Sequence, residues 1–161
     1  MLYPRTFAFG GASAIVTSMG LIVGLGAATA RTATIVSSLL IFAVADNISD
    51  SLSIHMYQEA EKLDEGAAFR ATLMNFLARL LVSFGFVVIV IALPAPYAGF
   101  VALAWGFALL AGLSYIVARA RGVGPMLEVA KHLGIAVLVI AASRLIGSWI
   151  VHYVNEGALS R

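Results

Sequence analysis

Long apolar runs, separated by short polar or proline-containing segments, dominate this chain. Five of the runs, residues 6–30, 32–57, 71–93, 99–118 and 129–151, are long enough to cross a bilayer as α-helices, which takes about 20 residues. None shows the two-residue alternation of a membrane β-barrel strand. The pattern therefore predicts an all-α integral membrane bundle of five transmembrane helices, with residues 1–161 forming one domain.

The connections between these runs predict the orientation of the bundle. Five spans place the termini on opposite sides of the membrane, and only residues 58–70 leave room for a longer loop. Most basic residues fall on the side of the N-terminus: Arg5, Lys62, Arg70, Arg119, Arg121 and Lys131, against Arg31 and Arg161 on the other side. Because cytoplasmic loops are enriched in Lys and Arg, we expect a cytoplasmic N-terminus and a C-terminus on the opposite side.

The composition supports a membrane protein and removes several classes of function. Hydrophobic residues make up 61% of the chain and charged residues 11%, which leaves too little polar surface for a soluble globule. A net charge of +2 from scattered basic residues gives no basis for nucleic-acid binding. The absence of cysteine excludes disulfides and thiolate metal sites. The first span is longer than a signal-peptide core, so we expect it to be retained.

Two carboxylates lie inside the second predicted span. Asp46 and Asp50 are four residues apart and share one helix face, which Ser53 and Tyr57 continue, with Asn47 beside it. With Tyr57 as the cytoplasmic end, the helical rise places Asp50 about 10 Å and Asp46 about 17 Å into the membrane. Ionisable residues at such depths are functional candidates by default.

A basic residue of the third span suits one of these aspartates. Arg79 lies about 12 Å into the membrane by the same rise, level with Asp50. A carboxylate in hydrocarbon is stabilised by protonation, by an ion pair or by a bound cation. We therefore expect Asp50 either to pair with Arg79, as a structural or gating contact, or to bind a cation. Asp46 has only Arg144, in the outer half of the fifth span, as a further partner and is expected to be the freer, ligand-like group.

Weaker candidates surround the aspartates. Asn47 and Ser53 are either oxygen ligands or residues that hydrogen-bond between helices. Acidic and imidazole side chains near the cytoplasmic surface form either an entry funnel for cations or a solvated loop: His55, Glu59, Glu61, Asp64 and Glu65.

Small residues recur at four-residue spacing in the first and fifth spans. Gly20 and Gly24 form a GxxxG motif, and Ser143 and Gly147 repeat the spacing. Such motifs let membrane helices approach closely. They predict either packing within one subunit or the seam of a dimer.

Residues at fixed intervals in the first two spans form a recognisable frame. The first span carries Arg5, Phe9, Gly10, Thr17, Leu21 and Gly24, with Ala12, Ser13 and Ala14 among them. This frame resembles the vacuolar iron transporter family, whose members carry Arg, Phe-Gly, Asn-Asp-Gly and then Ser, Leu and Gly at these intervals. Ser13 and its neighbours replace the Asn-Asp-Gly. Aligning the second span on Ser53 places Asp46 at the family's metal-facing Met and Asp50 at its Glu.

The resemblance implies a dimeric divalent-cation transporter in place of an enzyme, with no permanently bound cofactor. Its metal ligands would be Asp46 and Asp50, with Asn47, Ser53 and Ser13 as further oxygen donors and Met19 as a soft ligand. Oxygen ligands suit Mg²⁺, Mn²⁺ or Fe²⁺, and a thioether would favour iron. We expect a homodimer in a prokaryotic cytoplasmic membrane that exports or sequesters Fe²⁺ or Mn²⁺, with protons moving in exchange.

Two other classes stay open. In a membrane scaffold or accessory subunit, Asp50 and Arg79 would only lock the bundle together. An intramembrane metal-dependent phosphotransferase also uses a pair of aspartates four residues apart, but such enzymes need a further acidic residue upstream, and none precedes Asp46.

Overall fold

The helices of the protein account for the predicted spans. The computed structural model describes residues 3–61 and 65–155. It contains α1 (Tyr3–Ala27), α2 (Thr32–Ile41), a π-helical turn (Phe42–Asp46), α3 (Asn47–Ala60), α4 (Glu65–Ala92), α5 (Ala95–Ala120), α6 (Pro125–Ile150) and a second π-helical turn (Val151–Asn155). No strand occurs in these described ranges.

Five continuous helical spans are long and apolar enough to cross a membrane, so the all-α five-helix prediction is confirmed. The second of them, Thr32–Ala60, joins α2, the first π-helical turn and α3. Most helices begin a few residues before the predicted spans, and α1 ends at Ala27, three residues before its predicted end. The loop expected at residues 58–70 is much shorter, because α3 continues to Ala60 and α4 begins at Glu65.

The turn between α5 and α6 is closed by backbone hydrogen bonds at the end of α5. Gly122 has a φ of 70°, a conformation that glycine adopts without steric cost. Its N–H donates to the Arg119 carbonyl, and the Val123 N–H donates to the Ala118 carbonyl, both at 3.1 Å. This pattern satisfies the last carbonyls of a helix. Pro125 then begins α6, where its missing N–H has no partner to lose.

The π-helical turn changes how the second span faces the bundle. Leu39, Ala43, Asn47 and Ser51 are all buried, at a spacing of four residues. In a straight α-helix that spacing drifts by about 40° per step, because each residue turns the helix by about 100°. The wider turn at Phe42–Asp46 reduces the drift. One side of the span therefore stays against the bundle while its buried residues change from apolar to polar.

The core of the bundle forms around α1. Ile15 and Met19 of α1 are almost fully buried together with Phe86 of α4 and Leu110 of α5. A Cβ atom at Gly106 of α5 would overlap the sulfur of Met19. The missing side chain at Gly106 thus leaves the space that Met19 fills.

The small residues of α1 and α6 pack against each other within the chain. A Cβ atom at Gly24 would lie 3.1 Å from the Ser143 carbonyl oxygen, and one at Gly147 would overlap the carbonyl oxygen of Gly24. A Cβ at Gly20 would lie 3.0 Å from the Ser143 hydroxyl oxygen. The expected packing within one subunit is therefore present, and both motifs are used in it.

Candidate functional site

Arg79 of α4 lies between the two aspartates of the second span. Its Nη1 donates to the Asp50 Oδ2 atom at 3.1 Å, and its Nη2 donates to the Asp46 Oδ2 atom. The guanidinium is enclosed, with 3% of its side chain exposed. A planar guanidinium has several donors in a fixed fork and can therefore hold two carboxylates at once. We call Asp46, Asp50 and Arg79 the charged triad.

The predicted pairing of Asp50 with Arg79 is confirmed. The expectation that Asp46 is free of a basic partner is wrong, because Asp46 shares the same guanidinium. Arg144, the alternative partner considered for Asp46, is exposed on α6. Depth estimated from helical rise placed Arg79 level with Asp50, but it did not allow for the length of an arginine side chain that reaches toward Asp46 as well.

Neighbouring groups hold the triad in place. Asn75, one turn before Arg79 on α4, donates from Nδ2 to the Asp50 Oδ2 atom at 3.2 Å. A Cβ atom at Gly10 of α1 would overlap the Asn75 side-chain oxygen, so this glycine makes room for the amide. The Phe42 ring lies 5.9 Å from the Arg79 guanidinium carbon, within the range of a cation–π contact.

Other polar side chains extend the triad into a buried seam between α3 and α4. Asn47 donates from Nδ2 to the Phe76 carbonyl at 2.9 Å, and Thr72 donates to the Gln58 side-chain oxygen at 3.2 Å. Asn47 therefore hydrogen-bonds between helices, the second of its two expected roles. Within the described residues, six buried polar atoms of this region and its surroundings have no hydrogen-bond partner: Ser18 Oγ, Asn47 Oδ1, Ser51 Oγ, Asn75 Oδ1, Arg79 Nε and Ser83 Oγ.

Among the described residues, Arg79 is the only basic side chain that pairs with the two aspartates. One guanidinium faces two carboxylates, which leaves a net charge of −1 when both are ionised. The excess charge is also accessible, because 47% of the Asp46 side chain is exposed, against 29% for Asp50. Ser49 and Ser53 continue the exposed polar face on α3, and Ser53 donates to the Ser49 carbonyl at 3.0 Å. The triad thus has a closed side against α4 and an open side.

Two predicted metal ligands of α1, Met19 and Ser13, lie apart from the triad. Met19 is fully buried in the apolar core against Gly106 and Phe86, and Ser13 lines a separate cavity together with Ser114 and His132. The sequence of α1 contains no Asp or Glu, so neither position has a carboxylate of its own helix nearby. The structure thus places Met19 in apolar packing and Ser13 in that cavity, whereas the triad lies on the second span and α4.

The core position of Met19 predicts the effect of its substitution. Met19→Leu keeps the volume and is expected to lower the free energy of unfolding by less than about 1.5 kcal/mol. Met19→Ala opens a cavity and is expected to lower it by about 2–5 kcal/mol. Chemical unfolding in mixed micelles measures both values. A large loss with leucine would contradict the packing role.

The residues expected to form a cation entry funnel are only partly described. His55 and Glu59 form a pair on α3 with Nε2 and Oε1 atoms 3.4 Å apart, and Glu61 is exposed at the end of that helix. Asp64 and the side chain of Glu65 lie outside the described residues. Among the residues that the structure does describe, no three His, Asp or Glu side chains are grouped closely enough to hold a metal ion.

Sequence reasoning missed the residues that fix the geometry of the triad. The π-helical turn has no local signature among the apolar residues of the span. Asn75 did have a signal, because Thr72, Asn75, Arg79 and Ser83 recur at three- and four-residue spacing through an otherwise apolar helix. Such a stripe predicts a polar face buried against another polar helix.

Comparison with known proteins adds no assignment. No protein-family model, no curated protein and no solved structure matches this chain.

Proposed function

We propose that this protein is a dimeric membrane transporter that moves a divalent cation, Fe²⁺ or Mn²⁺, out of the cytoplasm in exchange for protons. The observation that carries the proposal is the net negative charge of the triad, together with the exposure of about half of the Asp46 side chain. When both carboxylates are ionised, the triad carries one net negative charge inside the membrane, and a mobile cation or a proton would neutralise it.

The open side of the triad supports a pathway or a second subunit next to α3. A half-exposed carboxylate near the bilayer centre is poorly accommodated by lipid, and such residues face a bundle interior or a water-filled cavity. Ser49 and Ser53 are exposed on the same face. We infer that this face borders the cation path where two copies meet.

Charge arithmetic in a dimer supports exchange of one divalent cation for two protons. Two triads related by a two-fold axis carry −2, which one divalent cation or two protons neutralise. Within each copy, Arg79 supplies a fixed positive charge beside both carboxylates. Asp46, as the more accessible carboxylate, is the ligand that the ion meets first.

Substitution of Asp46 tests this proposal. In proteoliposomes containing purified protein, Asp46→Asn is expected to reduce Mn²⁺ flux by roughly tenfold or more, because losing a charged ligand costs more than about 1.4 kcal/mol of binding. Glu128→Gln, which removes a carboxylate that pairs with Lys131 and Arg121 near the α5–α6 turn, serves as the control and is expected to retain flux. Equal flux from native protein and Asp46→Asn would show that Asp46 has no part in transport. A flux that does not change with an imposed pH gradient would exclude proton exchange.

A scaffold or accessory subunit is the second candidate, because both carboxylates already have a basic partner. The double variant Asp50→Asn with Arg79→Gln separates the two functions. A folded protein that has lost flux supports a transporter. Loss of the folded protein supports a role of the triad in locking the bundle.

A further inference from the structure

A second candidate site lies on the other side of α1, away from the triad. A cavity of about 550 Å³ opens between α1, α5 and α6, within the range of about 300–1,000 Å³ typical of ligand sites. Its walls are mostly apolar and include Val16, Leu110 and Ile135. The triad, on the second span and α4, does not line this cavity.

Besides Ser13 of α1, the polar residues that line this cavity belong to the last two turns of α5, its C-terminal end and the first two turns of α6. Ser114 of α5 is buried, and its hydroxyl lies 2.8 Å from the Nδ1 atom of His132 on α6. That contact fixes the imidazole and leaves its other nitrogen, Nε2, without a hydrogen bond to any described residue. Arg121, at the end of α5, lines the same part of the cavity and has more than half of its side chain exposed.

The charge at this end is positive. Glu128 is shared by two cations, with its Oε1 atom 2.9 Å from Lys131 Nζ and its Oε2 atom 3.9 Å from Arg121 Nη1. The longer distance leaves the Arg121 guanidinium with donors to spare. The basic residues near the α5–α6 turn are those that the positive-inside pattern predicts to be cytoplasmic.

We propose that this cavity binds an anionic phospholipid of the cytoplasmic leaflet, with one acyl chain along the apolar walls and the phosphate near Arg121 and His132. Guanidinium groups recognise phosphate through paired hydrogen bonds. Basic pockets between transmembrane helices on the cytoplasmic side are typical sites for anionic lipid headgroups. The apolar walls, which exclude a free anion, favour a lipid over inorganic phosphate. This binding does not depend on the proposed transport.

Native mass spectrometry of the purified full-length protein tests the proposal. The protein is titrated with dioleoyl phosphatidylglycerol or with dioleoyl phosphatidylcholine, which differ only in the headgroup. Native protein is expected to retain phosphatidylglycerol roughly tenfold more strongly, since a charged hydrogen bond contributes about that factor. Arg121→Gln is expected to abolish this preference. Equal retention of the two lipids by the native protein would overturn the proposal.

Two further variants distinguish a built site from general surface charge. Arg119→Gln removes the same charge two residues away, from a residue that does not line the cavity, and is expected to keep the preference. A loss equal to that of Arg121→Gln would mean diffuse attraction and would overturn the site. Ile135→Trp narrows the cavity from its exposed side and is expected to reduce retention of both lipids. If it changes the oligomeric state and leaves lipid retention unaltered, a second copy covers the cavity and the proposal is wrong.

Discussion

Arg79→Gln is expected to lower the free energy of unfolding by about 3–5 kcal/mol, the usual effect of removing one partner from a buried ion pair. The glutamine leaves two carboxylates facing each other, four residues apart on the second span, with no cation between them. Arg79→Lys is expected to have an intermediate effect, because an ammonium group is a point charge and lacks the fork that holds two carboxylates. Chemical unfolding of the purified protein in mixed micelles measures these changes.

Two controls separate loss of charge compensation from general damage to α4. Arg70→Gln alters an exposed arginine of the same helix that donates to the nearby Gly66 carbonyl, and it is expected to change stability by less than about 0.5 kcal/mol. Adding Asp46→Asn and Asp50→Asn to Arg79→Gln removes all three charges and is expected to restore most of the lost stability. A triple variant as unstable as Arg79→Gln alone would show that the guanidinium acts mainly through packing.

Gly147→Ala is expected to lower the free energy of unfolding by about 1–3 kcal/mol, the usual effect of overpacking. The added methyl group overlaps the Gly24 carbonyl oxygen and approaches the Ala27 side chain to 3.0 Å. Because the overlapping atom belongs to the backbone of α1, a rotamer change offers no relief. The two helices must separate, which also weakens the contact of Gly24 with Ser143.

Gly134→Ala is the matched control for this substitution. It lies on the same helix, and a Cβ atom there meets nothing within 4 Å. Alanine is a better helix former than glycine by about 0.5–1 kcal/mol, so this variant is expected to be as stable as the native protein or slightly more stable. Similar losses at Gly134 and Gly147 would show that the close contact of α1 with α6 is unimportant. Unfolding in mixed micelles again provides the measurement.

The fold was predictable from the sequence because membrane spans depend on length and hydropathy. Each of the five apolar runs became a helix, and the turns at Arg31 and Gly122 lie where charge or glycine interrupts the runs. The end of α3 and the beginning of α4 were harder to place. The helix around Gln58 and that around Arg70 continue through polar sequence, because α3 and α4 hydrogen-bond to each other there through Gln58 and Thr72.

The candidate site was predictable only in part. Four-residue spacing correctly put Asp46 and Asp50 on one face, and helical rise correctly set Arg79 beside Asp50. The second contact, with Asp46, depends on side-chain reach, which spacing along a helix does not describe. The positions of Met19 and Ser13 depend on how α1 is rotated against α5 and α6. The first span contains no acidic residue that would indicate this rotation.

The π-helical turn at Phe42–Asp46 divides the second span into two segments that differ in their rotation about the helix axis. In the segment before the turn, Leu39 packs in the apolar core, and the segment from Asp46 onward holds the aspartates against α4. A shift of the wide turn by one residue along the helix would rotate Asp46 about the helix axis and leave Leu39 in the apolar core. The aspartate can therefore be re-aimed by a local change in winding, and the bundle around it need not move as a whole.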